Sequence, residues 1–305
     1  MPLRNNTTMK VLVLILSSDT YPSKRNKNII NQTWVKSNSE NTKIYFYEAG
    51  QKTHLVNNTL YVEDSGTAQD IGKKTIAAID WAYKNLEFDF IFRTNTSSYV
   101  NIKNLKNYIS NYCISSEYVY RGVIHQKKFA DQEKSLDYVN GAGIILNRES
   151  VKKIIENSNN WDHTEWDDVA LGKMFSLIGI YPESGLRQEV VGNFYNNKID
   201  TSNYHIRCRI DQIYRYPRFL EKYILKEIDN IYNKKSISLK LFKKSFFYLC
   251  KIFYIEKPVW RLYNLIFKIL RKVLPKNIYS LLRKLRSERI YNKVLKYYQK
   301  DKKES

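Results

Sequence analysis

Four apolar segments, separated by polar and helical stretches, constrain the fold of this chain most. The first, Val11–Leu16, is an unbroken run of Val, Leu and Ile, which is typical of a parallel strand buried on both faces. Further strands are predicted at 43–47, 59–62 and 88–92, and apolar residues at helical spacing predict a helix over 70–86. Strands that alternate with helices predict an α/β domain with a mostly parallel sheet.

Two polar segments directly follow predicted strands. The first strand ends in Ser17-Ser18, and the strand at 88–92 runs into a polar turn at 93–98 that contains no carboxylate. Ligands of parallel sheets bind beyond the carboxyl ends of the strands, so we expect both segments on one functional rim. The alternative for 93–98 is a simple capping turn, because Ser, Thr and Asn are common in turns.

The region from 138 to 178 combines glycines with an acidic, aromatic loop. A strand is predicted near Gly141, where glycine lets a ligand approach the backbone closely, although a tight entry into the strand also explains it. The loop at 161–168 leads into a predicted helix over 169–178. Carboxylates near the start of that helix are electrostatically favoured.

Positive charge is concentrated towards the C-terminal end. The 305 residues carry a net charge of +21, of which about +16 falls on residues 219–305 and about +5 on residues 1–218. From about residue 223 the pattern is helical, basic and aromatic. We therefore predict an α/β domain over 1–218 and a basic helical extension over 219–305.

The basic extension combines Lys and Arg with wide apolar faces. That combination is typical of interfacial helices, and it predicts binding to an anionic membrane surface through residues 225–300. Packing of these helices on the α/β domain is the alternative. We disfavour nucleic acid as a partner, because no nucleic-acid-binding motif accompanies the charge.

Cysteine spacing and hydropathy favour a reducing compartment. Cys113, Cys208 and Cys250 lie far apart without a C-x-x-C pair, which predicts free buried thiols. No segment approaches the roughly 18 apolar residues of a membrane span, and the opening apolar run is too short for a signal peptide. We expect a cytoplasmic protein that associates peripherally with a membrane.

Six short motifs occur in a fixed order between residues 10 and 210. They are Ser17-Ser18 after the first strand, Ile30-Asn-Gln-Thr-Trp34, Asp70-Ile-Gly-Lys-Lys-Thr75, Phe88-Asp-Phe-Ile-Phe-Arg-Thr-Asn-Thr-Ser-Ser-Tyr-Val-Asn101, Val139-Asn-Gly-Ala-Gly143 and Asp167-Asp-Val-Ala-Leu-Gly172. Together they resemble the β-1,3-galactosyltransferase and Fringe-like glycosyltransferases, including their bacterial and viral polysaccharide relatives. The resemblance implies a glycosyltransferase A-type fold, a mixed sheet flanked by helices. It also implies inverting transfer from a nucleotide-sugar, here a UDP-sugar, to a hydroxyl of a glycan or lipid-linked acceptor.

The turn at 93–98 is where this chain departs from the family. Family members carry a Lys-Thr-Asp-Asp-Asp-type sequence there, whose carboxylates hold a divalent metal under the donor diphosphate. The matching positions here are Arg93, Thr94, Asn95, Thr96 and Ser97. Amide and hydroxyl oxygens are poor replacements for carboxylates around a hard cation such as Mn²⁺ or Mg²⁺.

Two ways of balancing the diphosphate charge remain. In the first, side-chain cations provide the balance, with Arg93, His205 and Arg207 as candidates, because Arg forks onto phosphate oxygens. In the second, a metal is held weakly by His205 and Asn95 together with water and the diphosphate. We favour the first, a reduced dependence on metal. An exposed strand with alternating polar residues also explains His205 and Arg207.

The resemblance also implies the catalytic and acceptor residues. Asp168 corresponds to the general base, with Asp167 beside it, and the alternative is that both simply cap the helix. Trp161, Trp166 and Gly141 are candidate acceptor contacts. Core packing is the alternative for the two Trp residues, which are usually largely buried.

The donor contacts are expected along the rim. The candidates are Ser17, Ser18, Lys74, Arg93, Asn95, Ser97, His205 and Arg207. For Lys74, a solvated lysine on a helix surface is the alternative.

Three functions from different classes follow. The leading one is a glycosyltransferase in the synthesis of a surface polysaccharide or glycan. The second is a catalytically inactive relative that binds a nucleotide or glycan and lost catalysis together with the metal-binding carboxylates. The third is a basic membrane or nucleic-acid adaptor built around the extension. Product analysis across a panel of nucleotide sugars separates the first two.

Overall fold

The computed structural model describes residues 9–20, 22–37, 41–64, 71–128, 135–190, 198–208 and 221–235. These residues form an α/β domain in which a mixed sheet is flanked by helices, as the sequence predicts. Residues 236–305 of the predicted basic extension lie outside the described residues, and so does Asp70.

Eleven strands lie within the described part of the chain. Their bounds are β1 Val11–Leu16, β2 Thr42–Gly50, β3 His54–Val56, β4 Thr59–Glu63, β5 Phe90–Asn95, β6 Ser98–Val100, β7 Tyr120–Lys128, β8 Ser135–Asn147, β9 Glu183–Ser184, β10 Gln188–Val190 and β11 His205–Cys208. The four strands predicted in the first hundred residues are confirmed as β1, β2, β4 and β5, with shifted ends.

The main sheet has eight strands in the order β3-β4-β2-β1-β5-β8-β7-β9. Strands β4, β2, β1 and β5 run parallel, whereas β8 is antiparallel to both β5 and β7. Strands β1 and β5 are direct neighbours, with Leu16 opposite Asn95. The segments that follow these two strands therefore emerge at one edge of the sheet, as predicted.

Six α-helices flank this sheet within the described residues. Their bounds are α1 Ser23–Gln32, α2 Ile71–Asn85, α3 Ile102–Tyr112, α4 Arg148–Glu156, α5 Asp167–Leu177 and α6 Glu221–Tyr232. The helix predicted over 70–86 is confirmed as α2. The helix predicted over 169–178 is confirmed as α5, which begins two residues earlier.

The core explains why β1 is apolar at every position. Leu12 and Leu14 pack into a cluster formed with α2, α4 and α5, while Val13 and Ile15 point to the opposite face and are fully buried there. Burial of both faces leaves no room for a polar side chain along β1. Cys113 is buried and free elsewhere in the domain, as predicted, and Cys208 is likewise.

Strand β5 extends further than the sequence predicts. The sequence predicts Arg93 in a polar turn, but β5 continues to Asn95, and Arg93 pairs with Leu14 on one side and Ile144 on the other. The turn is therefore shorter, and Ser98 begins β6, which joins a separate three-stranded sheet in the order β10-β11-β6. Arg93 therefore lies inside the sheet.

A bulge in β8 is the main irregularity of the large sheet. Residues 140–143 of β8 stand opposite the single residue Val123 of β7, because the pairing shifts between Gly122 and Ile124. Extra residues in one strand bend it and redirect its side chains. The bulge carries Gly141, one of the predicted site residues.

Helix α6 packs on the domain that contains the sheet. Asn26 of α1 donates a hydrogen bond to the Glu221 carboxylate at 2.6 Å. The Tyr99 hydroxyl of β6 donates to Asp229 at 3.2 Å. These contacts join α6 to α1 and to β6.

The chain divides into two compact units, Met1–Ile237 and Ser238–Ser305. The second unit lies outside the described residues. Helix α6, which the sequence analysis places in the extension, belongs to the first unit. The domain boundary between residues 218 and 219 stays a prediction, and so does membrane binding through residues 225–300. Within the described part of the chain, no helix is both long and apolar enough to cross a bilayer.

Candidate active site

The start of α5 brings two carboxylates to the edge of the sheet. Asp167 and Asp168 both lie in its first turn, where unpaired N–H groups and the helix dipole favour negative charge. Asp167 is buried and Asp168 is half-buried. Each carboxylate also bonds a group outside the helix, so helix capping alone does not account for the pair.

Asp167 closes a ring of four buried side chains from four elements, which we call the buried ring. Its carboxylate pairs with the Arg93 guanidinium of β5 and accepts a hydrogen bond from Thr75 Oγ1 of α2 at 2.9 Å. The Tyr47 hydroxyl of β2 lies 3.0 Å from Thr75 Oγ1 and accepts a hydrogen bond from Arg93 Nε at 3.0 Å. All four residues are buried, so the ring is shielded from water.

Arg93 is held inside the domain by this ring. Burial alone would lower the pKa of Arg93, but the adjacent Asp167 carboxylate raises it above its ordinary value, so the guanidinium stays charged. Its third nitrogen, Nη1, lies against Gly141, where an added Cβ would approach to 2.7 Å. Arg93 is 3% exposed. The guanidinium is therefore not presented at the rim, where its predicted contact with the donor would occur.

Asp168 presents its carboxylate to the bulge of β8. Its Oδ2 accepts a hydrogen bond from the Gly141 N–H at 2.8 Å, and Oδ1 accepts one from the Val169 N–H at 3.0 Å. An added Cβ at Gly141 would lie 3.2 Å from Asp168 Oδ2, so this close approach requires glycine. The structure thus brings together Asp168 and Gly141, two residues that the sequence nominated.

The surroundings of Asp168 favour a role as a base. Burial raises the pKa of Asp168 above its usual value, and the neighbouring Asp167 charge raises it further. The Gly141 N–H and Arg93 act in the opposite direction and lower it. A carboxylate with a raised pKa holds an accepted proton more tightly, which suits general base catalysis.

Two arginines converge on Asn140 in the bulge, and we call them and their partners the arginine cluster. Arg187 Nη1 and Arg207 Nη1 both donate to Asn140 Oδ1, at 2.8 and 3.1 Å. Glu189 Oε1 accepts from Arg187 Nη2 at 2.6 Å and lies 3.9 Å from Arg207 Nη1. Positive charge outnumbers negative charge among these four side chains. The side chain of Arg207 is 17% exposed and that of Arg187 only 2%, so Arg207 lies nearer the solvent.

His205 lies beneath the bulge. An added Cβ at Gly143 would approach His205 Nδ1 to 2.5 Å, and His205 Nε2 is 2.9 Å from Ser98 Oγ. Burial lowers the pKa of His205 well below its usual value, and Arg187 and Arg207 lower it further. The imidazole is therefore neutral at physiological pH. This environment does not match the predicted role of His205 as a cation.

Hydroxyl groups line the rim where β1 and β5 end. Ser23 Oγ of α1 lies 3.3 Å from Ser17 Oγ and 3.2 Å from Thr96 Oγ1. Ser23 Oγ also accepts a hydrogen bond from the Ser18 N–H at 3.0 Å. Ser17 and Ser18 thus lie beside the turn after β5, as predicted, and Ser23 joins them.

Asn95 shapes the turn between β5 and β6. Its Oδ1 accepts a hydrogen bond from the Ser97 N–H at 3.0 Å, which is a common turn-stabilising bond of Asn. Asn95 is half-buried and Ser97 is buried. The local bond agrees with the capping turn that the sequence left open, and contact of Asn95 and Ser97 with a donor stays a prediction.

Three further candidates have different surroundings. Lys74 is buried on α2, next to Thr75 of the buried ring, so it is not a solvated surface lysine. Trp161 is 4% exposed within the core cluster, which is the core packing that the sequence analysis left open. Trp166 is 61% exposed directly before α5. Of the two indoles, Trp166 is the one that presents a face on which a sugar can stack.

The rim residues do not fit Mn²⁺ or Mg²⁺. Within the described ranges, no three His, Cys, Asp or Glu side chains are grouped to hold a metal. The two candidate ligands, Asn95 and His205, bond Ser97 and Ser98 respectively. Hard cations of this kind prefer several carboxylate oxygens, which this corner does not supply.

Sequence reasoning missed five residues that help to build this site. They are Ser23, Tyr47, Thr75, Asn140 and Arg187. Asn140 and Thr75 each lie within one of the six motifs, and this position is the sequence signal that could have identified them. Tyr47 sits in a predicted strand and Arg187 in a short loop, where no local pattern marks a partner.

Comparison with known proteins gives a family match across the elements that build this site. The model of the family described as Galactosyltransferase matches residues 24–185, just over half of the 305 residues. The match includes the turn after β5, the bulge of β8 and the first turn of α5.

A curated relative and two solved structures are also similar. UDP-GalNAc:beta-1,3-N-acetylgalactosaminyltransferase 1 of Rattus norvegicus is 26% identical over 132 residues, which cover 37% of this chain and 39% of that protein. A glycosyltransferase involved in the glycosylation of the major capsid of PBCV-1 aligns with a TM-score of 0.40 and 12% identity, over 70% of this chain and 98% of that one. The glycosyltransferase GlyE of Streptococcus pneumoniae TIGR4 aligns with a TM-score of 0.40 and 11% identity, over 75% of this chain and 65% of that one.

The family match agrees with the fold class inferred from the six motifs. The mixed sheet, in which β8 is antiparallel to β5, agrees with the mixed sheet flanked by helices that the resemblance implied. This chain belongs to the Galactosyltransferase family.

Proposed function

We propose that this chain is an inverting glycosyltransferase that moves a sugar from a nucleotide-sugar to an acceptor hydroxyl. The observation that carries the proposal is the Asp168 carboxylate, half-buried at the edge of the sheet and held by the Gly141 N–H. Its raised pKa suits a group that accepts a proton during the reaction. Membership of the Galactosyltransferase family supports sugar transfer as the reaction class.

The proposed step is a direct displacement. Asp168 accepts the proton of the acceptor hydroxyl while that oxygen forms a bond to the anomeric carbon. The bond between the anomeric carbon and the donor diphosphate breaks, and the nucleoside diphosphate leaves with the electron pair. Attack opposite the leaving group inverts the anomeric carbon. Asp167 is not the base in this scheme, because Arg93 and Thr75 already engage its carboxylate.

The leaving diphosphate needs positive charge, and we assign this role to the arginine cluster. Arg207 is its more exposed member, and the guanidinium geometry suits phosphate oxygens. Arg187 adds charge behind it. Burial is the main cause of the lowered pKa of His205, and the charges of Arg187 and Arg207 lower it further. Because the rim carboxylates of the family are replaced, we propose a reduced dependence on divalent metal.

The proposals for the substrates rest on the family match and on one named relative. The rat relative is named for a UDP-GalNAc donor and a β-1,3 transfer, which supports a UDP-sugar as the donor here. The chain covers about two fifths of that protein. We propose a glycan or lipid-linked acceptor, surface polysaccharide or glycan synthesis, and a cytoplasmic enzyme held at an anionic membrane by its basic extension. Trp166 is the candidate acceptor contact among the aromatic side chains.

Mass spectrometry of products across a panel of UDP-sugars tests the reaction, with and without a chelator. Transfer by the wild-type chain should persist in chelator. Asp168→Asn should lower the transfer rate by about 100- to 10,000-fold, the usual contribution of a general base. Asp80→Asn, an exposed carboxylate paired with Lys84 on α2, is the matched control and should leave the rate unchanged. Wild-type turnover by Asp168→Asn would exclude Asp168 as the base.

A catalytically inactive binding protein is the second candidate, favoured by the turn after β5, which lacks every carboxylate of the family pattern. Binding of UDP-sugars without transfer and without donor hydrolysis would establish this second function. Formation of a glycosylated product with any acceptor would exclude it.

A further inference from the structure

The buried ring ties the proposed base to the centre of the sheet. Asp167 immediately precedes Asp168 on α5, and its carboxylate is paired with Arg93 of β5. Thr75 and Tyr47 complete the ring from α2 and β2. A shift of Arg93 would therefore move the first turn of α5, because the four buried side chains are bonded directly to one another.

A second contact links Arg93 to Asp168 through the bulge. Gly141 lies between them: an added Cβ there would lie 2.7 Å from Arg93 Nη1 and 3.2 Å from Asp168 Oδ2. The Gly141 N–H in turn holds Asp168 Oδ2. Arg93 thus borders both groups that orient the proposed base.

We propose that Arg93 is a positioning residue for Asp168, acting through Asp167 and Gly141, and that it does not contact the donor diphosphate. The proposal rests on the assignment of Asp168 as the base. It reverses the role that the sequence suggests for Arg93.

The geometry of the guanidinium argues against a phosphate contact. Its Nε is used by Tyr47, its Nη2 by Asp167, and its Nη1 lies against Gly141. To reach a phosphate, Arg93 would have to leave Asp167 as a buried carboxylate without its counter-charge, which is strongly unfavourable. Arg207 differs in that its side chain is 17% exposed and bonds Asn140 in the bulge.

Two members of the buried ring, Asp167 and Arg93, also affect the pKa of Asp168. The Asp167 charge raises the pKa of Asp168 and Arg93 lowers it, so the two effects oppose each other. Tyr120 and His125 of β7 and Tyr138 of β8 also face Asp168. Burial raises the pKa of both tyrosines, which keeps them neutral in the acid range, and burial lowers that of His125. Among these groups, Asp167 and Arg93 are therefore the charged neighbours of Asp168, and His125 becomes charged only at low pH because burial lowers its pKa.

Asp167→Asn in the full chain tests the coupling. The Asn side-chain oxygen can still accept hydrogen bonds from Thr75 and Arg93 while one negative charge is removed. Arg93 then loses its buried counter-charge, so the fold of the variant is checked first by its amide NMR spectrum. That removal takes away a charge that raises the pKa of Asp168 and leaves Arg93, which lowers it, uncompensated. We expect Asp168 to titrate at lower pH, followed by its ¹³C-carboxyl NMR resonance, which is identified by its loss in Asp168→Asn.

The matched control removes a carboxylate from another arginine pair. Glu183→Gln breaks the pair between Arg121 of β7 and Glu183 of β9 and should leave the titration of Asp168 unmoved. Asp168 is a base only when deprotonated, so kcat/KM falls as pH drops through its pKa. In Asp167→Asn that fall should also move to lower pH. A titration of Asp168 that stays in place, or moves to higher pH, overturns the proposal.

Arg93→Lys tests the second half of the proposal. It should lower kcat by about 100-fold, as a misplaced catalytic group does, and leave the Kd for UDP measured by calorimetry unchanged. A large loss of UDP affinity with kcat retained would make Arg93 a phosphate ligand and overturn the proposal. If this variant fails to fold, the Asp167→Asn titration decides alone. The titration needs no turnover, so absence of transfer by the wild-type chain would remove the proposed function and still leave the coupling measured.

Discussion

Charge compensation decides the role of each ionisable side chain at this site. Asp167 and Arg93 compensate each other inside the domain, which leaves Asp168 as the carboxylate that meets the bulge. Burial and two nearby arginines lower the pKa of His205, which keeps its imidazole neutral. Arg207 is a cation beside the bulge whose side chain is partly exposed.

Arg207→Gln should weaken UDP binding. The loss of a charge-assisted contact to phosphate is worth about 1.5–3 kcal/mol, which corresponds to a roughly tenfold to 100-fold higher Kd. Isothermal calorimetry with UDP and with uridine measures it, and the affinity for uridine should change little. Arg121→Gln, an arginine of β7 that bonds Glu183 and Ser184, is the control. Equal effects of the two substitutions would count against a phosphate role for Arg207.

The motif order identified Asp168 and Gly141, and the structure brings these two together. For Arg93 the sequence suggests a contact with the donor phosphate, because it lies beside a polar turn, whereas the structure buries it beside Asp167. Its burial depends on a carboxylate 74 residues later in the chain, and such a pairing leaves no local signal. Residue identities at the rim were therefore predictable, whereas their partners were not.

Strand β8 is the element that assembles the site. Its bulge turns Gly141 towards Asp168 and Asn140 towards the two arginines, while Gly143 lies over His205. A regular strand would alternate its side chains between the two faces of the sheet and could not serve all of these contacts within four residues.

Gly141→Ala should impair catalysis more than stability. The added Cβ would meet Arg93 Nη1 at 2.7 Å and displace Asp168, at a cost of about 1–3 kcal/mol for overpacking. We expect a large fall in kcat for folded protein, measured beside the midpoint of thermal unfolding. Gly50→Ala, where the Cβ would meet Tyr61 at 2.9 Å, is a control with a similar packing cost away from the site. Equal loss of kcat in both variants would argue against a specific role for the bulge.

The elements themselves were largely predictable, and their irregularities were not. Unbroken apolar runs identified β1 and β5, and helical spacing identified α2. The bulge depends on how β7 pairs with β8, and the short strand β6 depends on β11, more than 100 residues later. Pairing of this kind is set by tertiary packing, so the extent of β5 and the position of Arg93 had to come from the structure.

The whole molecule combines a domain built on a sheet with a strongly basic C-terminal region. About +16 of the net charge of +21 falls on residues 219–305. Helix α6 belongs to the compact unit that ends at Ile237, through its contacts with Asn26 and Tyr99. A deletion that is meant to remove only the basic region therefore has to begin after α6.

Removal of residues 238–305 should abolish binding to anionic vesicles and preserve transfer to a soluble acceptor. Each Lys or Arg near an anionic surface contributes about 1 kcal/mol, so loss of this region removes most of the attraction. Sedimentation with phosphatidylserine-containing vesicles measures binding, and phosphatidylcholine vesicles are the control. Undiminished sedimentation of the truncated chain would contradict the membrane role.

The buried ring also has a consequence for biosynthesis. Its members enter the growing chain at positions 47, 75, 93 and 167, so the guanidinium of β5 is made long before the acid that neutralises it. Until the start of α5 leaves the ribosome, closing the sheet around that cation would trap it in an apolar interior without a counterion. The nascent domain is therefore expected to complete its centre only when Asp167 arrives, and the same event delivers Asp168 to the edge of the sheet.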